Sequence, residues 1–392
     1  MSGLKKAVRN AAKIVMFKGV YPLFYKVSSL RPLNKNKVIL AEIRSGVLTD
    51  SFRYIYEELK NRGLEPVVYY VHNNKGGMGY LLRYLKLTLL MGNAGCVLLN
   101  DTCNLFGAFK FRNGTKVIQT WHSCGAFKKW GESITDLSFG ESLEELRKFP
   151  AHTSYTLCTV SSKECIWAFK EAFGFGLDND CVQATGVSRT DFFFKEENRV
   201  KAFEELYKNC PEAEGKKVLL YAPTYRGDAD KAYIPEKLDI KALKENFGGE
   251  YVLVIKRHSF VKKSWDIPEN CGDFAFDVTD KMRIEDLLFT ADMCITDYSS
   301  LIFEYSLFER PMIFYAFDLD EFYDYRGFYY PYDHSFLPGP VVKDNAGLIE
   351  AIKRGEADIL AISDFRERFM GACDGHSTER IVDYIMSQGS EY

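Results

Sequence analysis

The sequence predicts two consecutive doubly wound α/β domains. Three observations carry that expectation. Short apolar runs of strand length alternate with amphipathic helical stretches, and the alternation comes in two successive series. The length of 392 residues suits two domains of about 100–200 residues each. Finally, polar clusters follow several of the apolar runs directly, where ligands meet such sheets beyond the carboxyl ends of the strands.

The first series opens with KVILAEI (37–43) as a buried strand. DSFRYIYEELKNRG (50–63) follows as a helix, with Asp50 as its N-cap and a terminal glycine. PVVYYV (66–71), CVLLN (96–100), KVIQTW (116–121), YTLCTV (155–160) and CVQATGV (181–187) continue the strand signal, and GYLLRYLKLTLLM (79–91) and SKECIWAFKEAF (162–173) read as helices between them. After a polar helical stretch, KKVLLYAPTY (216–225), YVLVIKRH (251–258), DMCITD (292–297) and PMIFYAF (311–317) form the second strand set. Helices are expected at 240–248, 285–291 and 300–308, and again from about 344. The boundary is expected between 195 and 215, giving domains at 36–205 and 206–392 behind a leader at 1–35.

Hydrophobic residues make up 46% and charged residues 27%, which excludes a disordered or fibrous chain. The net charge of −3 gives no sign of nucleic-acid binding, but it is unevenly spread. The first 41 residues hold nine cations (Lys5, Lys6, Arg9, Lys13, Lys18, Lys26, Arg31, Lys35 and Lys37) and no acid, leaving −12 on the remainder. Val8, Ala12, Ile14, Val15, Phe17, Val20, Leu23, Phe24 and Tyr25 interleave with these cations at near-helical spacing. Such a segment suits either a bilayer interface with anionic headgroups or a solvated helix on the protein's own surface. No apolar run reaches the roughly 18 residues of a spanning helix, and no signal-peptide pattern is present. The ten cysteines include no CxxC pair and no zinc spacing, so free thiols in a reducing compartment are expected.

Five clusters lie at strand ends. Trp121-His122 precedes Gly125 and Lys128, and a strand-end histidine suits either a general base or a satisfied structural role beside a loop lysine. Gly186-Val187-Ser188-Arg189-Thr190-Asp191 reads as a ligand-facing turn or an ordinary helix start. Pro223, Thr224 and Arg226 follow VLLYA, where threonine and arginine can hold phosphate oxygens or arginine can join a salt bridge. Lys256-Arg257-His258-Ser259 is a cationic run. Thr296-Asp297-Tyr298-Ser299-Ser300 precedes a helix that Ser299 or Ser300 would cap, with an anion site at its N-terminus. Together these supply cations, hydroxyls and two histidines suited to a diphosphate and proton transfer. A GxxxxGK[ST] loop and a GxGxxG motif are both absent, which argues against P-loop NTPases and dinucleotide oxidoreductases.

In order and identity, WHSCGAFKKWG, GVSRTDFFF, LLYAPTYRGD, VIKRHSF and ITDYSSLIFEYSLFERPMIFYAFDLDEFYDYRGFYY resemble the teichoic acid CDP-glycerol glycerophosphotransferases. The resemblance implies a GT-B architecture, two Rossmann-like domains facing a cleft. It implies transfer of polyol phosphate from CDP-glycerol or CDP-ribitol to an undecaprenyl-linked saccharide or polymer, at the cytoplasmic face of the membrane. No cofactor, metal or nucleic acid is implied. His122 becomes the catalytic base and His258 a second catalytic histidine. Trp121, Lys128, Arg189, Asp191, Pro223, Thr224, Arg226, Arg257, Ser259, Thr296, Asp297, Ser299, Ser300 and Glu304 become substrate-binding candidates. The pattern departs from the family at Ser188 and Ser259, each standing for proline, at Glu304 for aspartate, and in a spacer one residue longer between His122 and Lys128. A nucleotide-sugar glycosyltransferase, a sugar-nucleotide epimerase and a non-catalytic peripheral membrane protein are the alternatives.

Overall fold

The computed structural model describes residues 10–71, 78–135, 137, 140, 142–228, 231–355 and 358–387. The chain forms two compact units. The first takes the residues up to Ser123, then Trp130–Asp191, and everything from Ala372 onward; the second takes Cys124–Lys129 and Phe192–Gly371.

The first unit holds six strands: β1 (Asn34–Glu42), β2 (Glu65–Tyr70), β3 (Ala94–Leu99), β4 (Lys116–Gln119), β5 (Leu157–Thr159) and β6 (Val182–Gln183). All pair in parallel, in the order β2-β1-β3-β4-β5-β6. Val38, Leu40, Cys96, Leu98 and Ile118 pack with Phe52, Ile55 and Leu59 of the helix Asp50–Asn61. Ile381, Val382 and Ile385 of the last helix, Ser377–Met386, complete this core.

The second unit holds β7 (Lys217–Ala222), β8 (Tyr251–Ile255), β9 (Ala275–Asp277), β10 (Met293–Thr296), β11 (Met312–Tyr315) and β12 (Val341–Val342). Read from its other edge, the sheet runs β9-β8-β7-β10-β11-β12 and is again wholly parallel. That is the 3-2-1-4-5-6 order of a dinucleotide-type fold, whose strand order reverses between β7 and β10. In the first sheet the reversal falls between β1 and β3. Each reversal opens a crevice at the carboxyl ends of its strands.

The domain boundary is corrected. The helix Glu196–Asn209 belongs to the second unit, and the change of unit falls at Asp191/Phe192. The chain then returns to the first unit at Ala372, because the apolar face of Ser377–Met386 completes the first core. Two strands, β9 and β12, were not among those expected. At the helix Asp50–Asn61 the N-cap position is Thr49, and Asp50 is the first helical residue.

Part of the leader is an integral piece of the first unit. Residues 10–28 are helical, with a π turn at Met16–Val20, where Pro22 has no N–H to return to the preceding turn. Phe17, Tyr21 and Tyr25 are buried, and the first two pack against Tyr84. Ile14, Val15, Leu23, Phe24, Val27 and Leu30 remain exposed, as do Leu82 and Leu89 on the neighbouring helix Met78–Met91. Lys5, Lys6 and Arg9 lie outside the described residues. Among the described residues no helix is long and apolar enough to cross a membrane. All ten cysteines are free thiols, nine of them buried.

Candidate active site

In the second unit, register brings two of the clusters together. Thr296 pairs with Ala222, so Pro223-Thr224 and Asp297-Tyr298 leave the sheet side by side. Asp297 is buried, and its Oδ1 accepts the Thr224 N–H at 2.7 Å. Thr296 is also buried and donates its hydroxyl to the Ala222 carbonyl at 2.7 Å, tying the two strand ends. Among the described residues Thr224 Oγ1 is buried with no hydrogen-bond partner. Such a hydroxyl costs stability unless something satisfies it. Ser299 and Ser300 are half-buried nearby in sequence, and Ser299 Oγ accepts the Leu301 N–H at 3.4 Å. The helix behind them is only Leu301–Ser306, with Glu304 buried inside it, so the hydroxyls and not a long helix dipole are the polar feature here.

Arg226, expected to hold phosphate, is engaged otherwise. Its Nε and Nη2 donate to Asp318 at 2.7 and 2.9 Å, Nη2 also to Asp297 at 2.9 Å, and Nη1 to the Thr224 carbonyl at 2.6 Å. The side chain is 9% exposed. Burial works against its charge, yet Asp318 and Asp297 outweigh this and hold its pKa above the ordinary value. Arg226 therefore braces the crevice. Arg257 is likewise corrected: it is buried, donating to Asp277 at 2.7 Å and to the Val261 and Lys263 carbonyls. It shapes the loop that carries His258 and the exposed Ser259. His258 Nδ1 accepts the Phe260 N–H at 3.2 Å, which puts the proton of a neutral ring on Nε2 and makes that atom a donor. Its ring lies 4.6 Å from that of Tyr225. Lys128 also belongs to this unit, bridged through its backbone to Phe328. Gly125 before it has φ +66, and a Cβ there would meet the Phe303 ring at 2.3 Å.

In the first unit, His122 leaves β4 with its side chain 28% exposed. Trp121 before it has φ +56, an uncommon conformation for a bulky residue. Gln119 Oε1 accepts the Trp121 N–H at 2.9 Å, and Arg189 Nη1 donates to the His122 carbonyl at 2.8 Å. The Trp121 indole is buried against Phe169 and Phe173 and stacks on His122 at 4.6 Å. It supports the histidine from behind. Asp191 is removed from the substrate candidates, because its carboxylate accepts the N–H groups of Ser377 and Thr378 at the start of the last helix. Gly186, with φ +83, lets this junction close, since a Cβ would lie 2.2 Å from Ser377 Oγ.

The strand ends beside His122 supply groups that sequence reasoning passed over. Arg44 and Asp101 follow β1 and β3 and pair at 3.1 Å, and Asp101 Oδ1 lies 3.8 Å from His122 Nδ1. Glu42 is fully buried, accepting both the N–H and the hydroxyl of Thr49 and the Asn100 amide. Burial, then Arg44 and Arg189, push the His122 pKa down to about 3, against the pull of the Asn100 carbonyl. The ring is neutral at pH 7, the state in which it can accept a proton.

The chain matches the family described as CDP-glycerol:poly(glycerophosphate) glycerophosphotransferase over residues 23–387. It belongs to that family. The teichoic acid ribitol-phosphate primase of Bacillus spizizenii (strain ATCC 23059 / NRRL B-14472 / W23) is 37% identical over 378 residues, 94% of this chain and 96% of the relative. The teichoic acid glycerol-phosphate primase of Bacillus subtilis (strain 168) is 33% identical, over 78% of this chain and 76% of the relative. The solved wall teichoic acid polymerase TagF shares the fold, with a TM-score of 0.72 at 23% identity, covering 97% of this chain and 96% of that one. Within this enzyme family, the chain presents one polar crevice on each sheet.

Proposed function

We propose that this family member transfers ribitol phosphate from CDP-ribitol to a lipid-linked saccharide or polymer, in teichoic acid or related polymer synthesis, as a GT-B enzyme. The observation that carries the reading is the β7/β10 crevice of the second unit. There Thr224 presents a buried hydroxyl without a partner among the described residues, beside the strand end that leads to Ser299 and Ser300. Hydroxyls and the Nε2–H of His258 suit the oxygens of a diphosphate. The choice of ribitol rests on the 37% identity to a ribitol-phosphate primase, against 33% for a glycerol-phosphate primase.

In the reaction the acceptor hydroxyl attacks the polyol-bearing phosphorus. A new P–O bond forms, the bond to the bridging oxygen breaks, and CMP leaves with that oxygen. His122 takes the hydroxyl proton. Donors at the second crevice offset the charge developing on the phosphoryl oxygens. The exposed Leu23, Phe24, Val27 and Leu30, with Lys18, Lys26 and Arg31 along the same segment, support seating at an anionic membrane surface.

The test is nucleotide release from CDP-ribitol, CDP-glycerol and UDP-sugars, using a purified lipid-linked acceptor and following product length. CMP release is expected with CDP-ribitol in preference to CDP-glycerol. His122→Ala should lower kcat by about 10²–10⁴-fold. Turnover of a UDP-sugar alone, or near wild-type transfer by His122→Ala, would overturn the assignment.

A further inference from the structure

The neutral ring of His122 has two nitrogens, and only one can meet the acceptor. Its Nδ1 is buried without a hydrogen-bond partner among the described residues and faces Asp101 Oδ1 at 3.8 Å. That is about 1 Å longer than a hydrogen bond, a gap typical of catalytic pairs before substrate tightens them. Asp101 is not a loose surface acid. Its Oδ1 accepts the Thr102 N–H at 2.6 Å, and its Oδ2 meets Arg44. A second connection runs through Gln119, fully buried beneath both residues. Gln119 Nε2 donates to the Asp101 carbonyl at 3.2 Å, while Oε1 takes the Trp121 N–H that holds the turn before His122. One amide thus spans the ends of β3 and β4 and sets the separation of acid and imidazole.

We propose that Asp101 is the positioning carboxylate of His122, with Gln119 as the strut that holds the two strand ends in register. The inference rests on the reading of His122 as base. A hydrogen bond from Nδ1–H to Asp101 places the lone pair on Nε2, which accepts the proton of the acceptor hydroxyl. The imidazolium so formed faces Arg44 and Arg189, both unfavourable to added positive charge, and the Asn100 carbonyl, which favours it, while Asp101 and Glu42 are the acids on the adjoining strand ends. Asp101 offsets that repulsion at the moment of proton transfer and is not itself protonated in the step.

Asp101→Asn keeps the size of the side chain but offers an N–H to Nδ1, which favours the Nε2–H tautomer that cannot accept a proton. The expected result is a fall in kcat of about 100-fold or more, with donor KM within about threefold. Nitrogen-15 NMR of the histidine rings reads the tautomer directly, and six histidines in the chain keep the spectrum assignable. His122 should be the Nδ1–H form in the wild type and shift toward Nε2–H in Asp101→Asn. Gln119→Met leaves the carboxylate in place and removes the strut, so it should cost about tenfold in kcat at unchanged KM. In a His122→Ala background, Asp101→Asn should cause no further loss. An unchanged kcat or tautomer in Asp101→Asn, or an equal additional loss in the double variant, overturns the proposal. Retention of activity by His122→Ala alone instead overturns the base assignment on which it rests.

Discussion

Replacing Arg226 by methionine separates a bracing role from a ligand-binding one. The guanidinium makes four hydrogen bonds, three of them to Asp297 and Asp318, with its side chain 9% exposed. Methionine fills similar volume but leaves two carboxylates without their cation. Removing one partner of a buried ion pair costs about 3–5 kcal/mol. For a unit of this size that lowers Tm by about 6–20 °C. The pH dependence follows from Asp318. Burial pushes its pKa up, but the hydrogen bond and charge of Arg226 outweigh this and hold it below the usual carboxylate range. Its contribution is therefore present above the unfolded value of about 3.9 and is lost as pH falls through the lower folded value. In Arg226→Met the burial effect is opposed only by the Tyr298 hydroxyl, which donates to Asp318 at 2.9 Å, and by a backbone N–H, so the Asp318 pKa rises. The stability gap between wild type and variant should be largest near pH 7 and shrink on acidification toward about pH 4. Differential scanning calorimetry at both pH values, alongside titration calorimetry with CDP-ribitol, makes the check. A variant with wild-type Tm at pH 7 that has lost donor binding would show the guanidinium to be a phosphate ligand and refute the bracing argument.

Three further outcomes are expected. Thr224→Val removes a hydroxyl without a partner, so Tm should stay level or rise by the equivalent of about 1 kcal/mol, while donor KM rises about tenfold; unchanged KM would remove Thr224 from the donor site. With the His122 pKa near 3 in the free enzyme, kcat/KM should show no acid limb from this group between about pH 5 and 7, because the ring is already unprotonated there; a limb near 6.5 that disappears in His122→Gln would contradict the burial seen here. Substituting Leu23, Val27 and Leu30 together by aspartate, all on the exposed side of the leader, should weaken binding to anionic liposomes by about 100-fold or more. Transfer to a soluble acceptor analogue should stay within about twofold, and parallel loss of both would mean that this face serves the fold instead of the membrane. Deleting the leader cannot make that distinction, since Phe17, Tyr21 and Tyr25 belong to the core of the first unit.

Ten of the twelve strands among the described residues were legible as apolar runs; in those such as β3, β8 and β10 this is because a parallel strand covered on both faces has no polar positions to interrupt it. The exceptions, β9 and β12, are three and two residues long. The passage between units was misplaced for a different reason. A polar helix at 196–209 reads the same whichever unit it covers, and the return at Ala372 depends on a core more than 200 residues earlier in the sequence. At the sites, strand-end position singled out His122, Thr224, His258 and Ser299 as candidates, and it also assigned Arg226 and Arg257 to substrate, where each guanidinium is paired with an acid. What a sequence leaves unstated is the partner. Asp297 and Asp318 lie 71 and 92 residues from Arg226, and nothing local announces that they converge on it. Parallel strands deliver their ends to the same edge, so a cation leaving one strand meets any acid leaving its neighbours. Burial then favours that pairing strongly, since an unpaired charge there is costly. The same rule, applied to both signs of charge, would have paired Arg44 with Asp101 after 37–43 and 96–100. It would also have placed a carboxylate beside His122. In sheets of this kind a guanidinium at a strand end is therefore first a candidate for pairing with an acid from a neighbouring strand, and only then for holding a ligand.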